Sequence, residues 1–81
     1  MPRKLNNWSY ESVTNFLEEH SFSFYEDLDG RHVWIKLQGD GAPDRIVELR
    51  FGTGQYAERT MKSIIRQSGI VESEWLDWSP S

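Results

Sequence analysis

Asp29-Gly30 stands between two stretches in which apolar and polar residues alternate, residues 22–28 and 31–37, and this feature constrains the fold more than any other. Gly accepts positive φ freely and Asp tolerates it, as the type I′ turn of a two-residue β-hairpin requires. Taking these two as the loop sets Leu28 opposite Arg31, Asp27 opposite His32, Tyr25 opposite Trp34 and Phe24 opposite Ile35. Side chains alternate along a strand, so the hairpin has two faces. Phe22, Phe24, Val33, Ile35 and Leu37 form the expected core face. Ser23, Tyr25, Asp27, His32, Trp34 and Lys36 form the other, expected to face outward, and His32 on it is the chain's candidate for chemistry.

The flanking segments supply what such a hairpin needs to be covered. Ser9 is a good N-cap, Glu11 lies in the first turn where the helix dipole favours it, and Trp8 can staple onto Val13. Val13, Phe16 and Leu17 then recur at helical spacing, with His20 in the last turn in a structural position. After a loop at residues 38–43, rich in Gly and Pro, a third alternating segment runs over 44–51. Val47, Leu49 and Phe51 continue the core face, and Ile46, Glu48 and Arg50 fall with His32. Residues 52–55 break the pattern. From about Ala57 the period becomes helical, with Met61, Ile64, Ile65 and Ser68 on one face, Gly69 as the stop and Ile70 as its apolar contact. Arg59, Lys62 and Arg66 make a basic stripe on the opposite side. Ser73 reads as the cap of a short last helix over 74–78, with Trp75 and Leu76 closing the core. The order is α-β-β-β-α, which predicts an α+β fold: a three-stranded antiparallel sheet with two helices packed on one face and a short C-terminal helix. Double-stranded-RNA-binding domains share this order.

With 81 residues the chain is expected to be a single domain spanning 1–81, with a flexible N-terminus at 1–7 and a tail at 79–81. No cysteine is present, so neither a disulfide framework nor a thiolate site is available, and two histidines are too few for a histidine-rich metal site. No metal and no cofactor are expected. A net charge of −4 weighs against a general nucleic-acid binder, whose affinity rests on clustered Lys and Arg. No apolar run reads as a membrane span or a signal peptide, which gives the expectation of a cytoplasmic protein with no membrane partner.

The segment Thr60-Met61-Lys62-Ser63-Ile64-Ile65-Arg66-Gln67-Ser68-Gly69-Ile70, followed by Glu72-Ser73-Glu74-Trp75-Leu76, resembles the C-terminal helix signature of the HicA family. These are small mRNA interferases of bacterial toxin–antitoxin modules. The first helix leading into Phe22, the Gly30-Arg31-His32 step and the third strand before the signature helix agree in order and spacing, so the resemblance covers roughly residues 8 to 78. It implies a double-stranded-RNA-binding-domain-like fold, RNA cleavage by one histidine, and a HicB-like antitoxin as partner. Only His32 matches the family's catalytic position. The chain departs from the family pattern in having Arg31 where Ser or Thr is usual, Ser21 where a glycine commonly ends the first helix, Gly52 where a second histidine often follows, and an acidic net charge.

Around His32, the expected cross-strand neighbour Asp27 would orient the imidazole and hold one tautomer. Tyr25 and Trp34 are the expected stacking residues for RNA bases. Arg31 and Lys36 near the histidine, and Arg59, Lys62 and Arg66 on the helix, are the expected backbone contacts. The alternative reading is a catalytically inactive RNA- or protein-binding module of the same fold.

Overall fold

Asp29 and Gly30 have φ of 55° and 93°, both in the left-handed region that the turn needs. The Gly30 N–H also donates to Asp27 Oδ1 at 2.9 Å, which ties the turn to the strand before it. The computed structural model describes residues 8–52 and 54–78, so the expected loose ends at 1–7 and 79–81 lie outside it. The elements run β1 (Trp8–Ser9), α1 (Tyr10–Glu19), β2 (Ser23–Leu28), β3 (Arg31–Lys36), β4 (Arg45–Arg50), β5 (Gln55–Tyr56), α2 (Glu58–Ser68) and α3 (Glu72–Asp77). β2, β3 and β4 form the antiparallel sheet in that order, and α1 and α2 cover one face of it. The tiny strands β1 and β5 pair with each other, Trp8 facing Tyr56, a bridge that no alternation in the sequence announces.

The helix ends follow local chemistry. Ser9 caps α1, its hydroxyl accepting from the Ser12 N–H at 3.2 Å. At the other end the Phe22 N–H donates to the Leu17 carbonyl and the Ser21 N–H to the Glu18 carbonyl, with Ser21 at φ 71°. That is a Schellman closure in which a serine holds the left-handed position usually given to glycine. Gly69, at φ 75°, ends α2 as expected. α3 begins earlier than expected: Val71 is its N-cap and Ser73 lies inside it.

The core joins Val13, Phe16 and Leu17 of α1 and Met61, Ile64 and Ile65 of α2 to Trp34, Val47 and Leu49 of the sheet. Trp75 of α3 is fully buried and stacks on Phe16 at 3.8 Å, locking the last helix onto the first. His20 is structural, as expected, its Nδ1–H donating to the Phe16 carbonyl at 2.9 Å while its ring stacks on the Phe16 ring.

The sheet corrects the expected faces. Next to the turn the pairing is as expected, with Leu28 facing Arg31 and Asp27 facing His32. A β-bulge then inserts Tyr25, so that Phe24, not Tyr25, faces Trp34 and Ser23 faces Ile35. Across the other seam His32 faces Leu49 and Trp34 faces Val47. Cross-strand partners share a face, so His32 and Trp34 lie on the helix-covered side and Val33 and Ile35 on the open side, the reverse of expectation. Ile46, Glu48 and Arg50 consequently share a face with Arg31, Val33 and Ile35 instead of with His32. Trp34 is 7% exposed and belongs to the core. Val33 is equally covered on the other side, but it is the larger indole that joins the core cluster, where its burial removes more apolar surface from water. Leu37 and Phe51, both expected in the core, are exposed.

Candidate functional site

His32 sits where α1, the hairpin and the end of β4 meet. Its Nδ1 is 2.6 Å from the Tyr10 hydroxyl, and its Nε2 is 3.7 Å from Asp27 Oδ2. The ring is enclosed by aromatic side chains. Phe51 stacks on one side at 4.7 Å and an interplanar angle of 17°, while Tyr10 and Phe24 meet it edge-on at 5.2 and 5.3 Å. The imidazole is thus mostly covered, its side chain 15% exposed, while Asp27 at 56% stands in solvent.

Each neighbour is delivered by local structure. Tyr10 is the first residue of α1, set by the Ser9 cap and by the β1–β5 bridge just before it. Phe24 reaches the imidazole's face because the bulge lets residues 24 and 27 point the same way, which a regular strand forbids. Phe51 follows β4, where the chain leaves the sheet; its N–H donates to the Gly30 carbonyl at 2.9 Å. That bond holds it over the hairpin turn, with 56% of its surface still exposed.

The chemistry this permits is proton transfer. A phenol both donates and accepts, so Tyr10 supports Nδ1 in either state: as donor when Nδ1 is bare, as acceptor when Nδ1 carries hydrogen. The second state leaves Nε2 with a lone pair at the solvent edge. A second phenol lies deeper. The Tyr56 hydroxyl donates to the Arg50 carbonyl at 2.7 Å. Burial first, and the neighbouring Tyr10 second, push its pKa up to about 12, so it remains a neutral donor.

The structure brings only Asp27, of the residues expected to serve the site, beside His32. Arg31 and Tyr25 lie on the open side of the sheet. Lys36 shares the histidine's face but stands four residues along the strand, about 13 Å at 3.3 Å per residue. Trp34 is enclosed in the core, so the expectation that it stacks bases does not fit its position. Arg59, Lys62 and Arg66 form the expected exposed stripe on α2. Tyr10, Phe24 and Phe51 were not anticipated at the site. Their signals were an aromatic at a helix start, a bulge and a strand end, none of which carries a spacing that points to His32.

No protein-family model, no curated protein and no solved structure matches this chain. Among the described residues no helix is long and apolar enough to cross a membrane. Fold and site together therefore define an α+β domain with a Tyr–His–Asp group at one end of its sheet.

Proposed function

We propose that the protein is an endoribonuclease of the HicA mRNA-interferase type that cuts RNA through His32 without a metal, and that a HicB-like antitoxin protein neutralises it. The observation that carries this reading is the pinned imidazole: Nδ1 engaged by Tyr10, Nε2 turned to the solvent edge beside Asp27. Nε2 takes the proton of a 2′-hydroxyl, the freed oxygen attacks the adjacent phosphorus, and the bond to the 5′-oxygen breaks. The leaving oxygen takes a proton from solvent, and the imidazolium beside Asp27 later returns its own. Phe24 and Phe51, both half exposed, offer ring faces for bases next to the scissile bond, in place of Trp34.

The test is product chemistry. Purified protein with RNA in EDTA is expected to give a 5′-hydroxyl fragment and a 2′,3′-cyclic phosphate fragment, to leave DNA of the same sequence intact, and to lose cleavage in His32→Ala with unchanged circular dichroism. RNA left intact across pH 6 to 9, or cut equally by the variant, rejects the reading.

One observation favours the second reading, a binding module without catalysis. The open face of the sheet carries a cleft of about 420 Å³ in which the apolar side chains of Tyr25, Leu28, Val33, Ile35 and Ile46 are accompanied by the carboxylates Glu26, Asp44 and Glu48. An open face of this composition suits a protein partner. Intact RNA together with a stable antitoxin complex selects that reading.

A further inference from the structure

Two pairs of like charges stand directly opposite each other between β3 and β4: Arg31 with Arg50, and Lys36 with Arg45. Like charges at facing positions destabilise a sheet, so each pair calls for a source of negative potential. For the second pair the fold supplies it. The Arg45 guanidinium lies against Gly69, so close that a Cβ there would come within 2.6 Å of its Nε. Gly69 closes the C-terminal end of α2, where unpaired carbonyls and the helix dipole favour a cation.

Arg31 and Arg50 have, among the described residues, no helix C-terminus beside them and no ion-pair partner. Among the described residues the one ion pair within 4.0 Å joins His32 to Asp27, so no carboxylate lies that close to either guanidinium. Ala57 and Thr60, at the N-terminal end of α2, line the same cleft as both arginines, and the dipole at that end has the wrong sign to offset a cation. That cleft measures about 510 Å³, and Gln55 and Gln67 also line it. Gln67 spends its side-chain oxygen on the Glu48 N–H at 3.0 Å, which leaves its NH₂ as donor. Glu48 is the one carboxylate on the cleft wall; it shares the face of both arginines one rung along the strands, opposite Val33, without forming an ion pair with either.

An oxyanion held between the two guanidinium groups removes the repulsion, and their planar forks match phosphate two bonds at a time. We infer that the Arg31–Arg50 cleft binds a phosphate group and, resting on the ribonuclease reading for its source, that this is a backbone phosphodiester neighbouring the one cut beside His32. Arg31 immediately precedes His32, and Arg50 immediately precedes the Phe51 ring stacked on it. Arg31 and Arg50 thus leave the sheet on the face opposite to His32 but at the same end of it, and the cleft they border reaches the first turn of α2. A strand of RNA passing over that end meets both.

The test uses the full chain and a fluorescent 2′-O-methyl oligoribonucleotide, which lacks the attacking hydroxyl and reports binding without cleavage. Anisotropy titrations over a range of salt concentrations are expected to show the Arg31→Gln/Arg50→Gln variant with weaker binding and a salt slope shallower by about 0.7, the value for one phosphate contact on a single strand. In parallel, inorganic phosphate compared with chloride at equal ionic strength is expected to raise the unfolding temperature of the wild type but not of the double variant. Stabilisation by phosphate with an unchanged RNA slope supports the cleft and assigns it to a free phosphate compound. Loss of neither effect in the folded double variant overturns the inference. Should cleavage fail while both effects hold, the ribonuclease reading falls and the phosphate site stands.

Discussion

The Tyr10 hydroxyl stands 2.6 Å from His32 Nδ1 and so fastens the start of α1 to a strand that begins 21 residues further along the chain. If that bond sets the state of the ring, Tyr10→Phe should keep the aromatic contact and lose only the hydrogen bond. On the ribonuclease reading, single-turnover cleavage is expected to slow by about tenfold or more, a part of the roughly 10²–10⁴-fold that a positioned acid–base group supplies. Denaturation should register about 1 kcal/mol, the usual worth of such a bond. Unchanged cleavage in the folded variant removes Tyr10 from the mechanism.

The inverted face of β3 makes a stability ranking. Trp34→Ala opens the core between Val47 and Phe24 and is expected to cost about 3–5 kcal/mol. Ile35→Ala, on the open face and partly exposed, should cost clearly less. Urea denaturation of the two variants decides it, and the opposite order would place the register one residue away.

Ser21 at φ 71° holds a conformation that costs an L-residue roughly 1 kcal/mol and glycine almost nothing. Ser21→Gly should therefore stabilise the fold by a few tenths to about 1 kcal/mol, since greater freedom of glycine in the unfolded chain offsets part of the gain. Thermal unfolding measures it. A lower melting temperature would mean that the serine side chain contributes more than its backbone strain costs.

Burial raises the Tyr56 pKa from 10.0 to about 12, which gives a pH prediction with a definite sign. Between these values the folded protein holds a proton that the unfolded chain has released. Stability contributed by the neutral phenol is full below pH 10 and is lost as pH rises toward 12. Tyr56→Phe should flatten that alkaline limb while lowering stability at neutral pH by about 1 kcal/mol for the lost bond to the Arg50 carbonyl. Equal alkaline limbs in both proteins would refute the assignment.

The sequence by itself determined the features that depend on neighbours along the chain. Asp29-Gly30 specified the turn and with it the Asp27–His32 pairing, because a two-residue loop fixes register for the first few rungs. Ser9 and Gly69 specified helix ends through backbone capping, and the spacing of Met61, Ile64, Ile65 and Ser68 specified the buried side of α2. Only the tertiary structure decided which face of the sheet the helices cover. In β3 both alternating sets are apolar, Val33 and Ile35 on one side and Trp34 on the other, so a period of two separates the faces without saying which one is buried. Docking against Val47, Leu49 and Phe16 selected the indole. The Tyr25 bulge and the approach of Tyr10 and Phe51 to His32 are likewise features of the folded chain. They join residues far apart in sequence, and no local spacing records a contact whose energy exists only once the layers have packed.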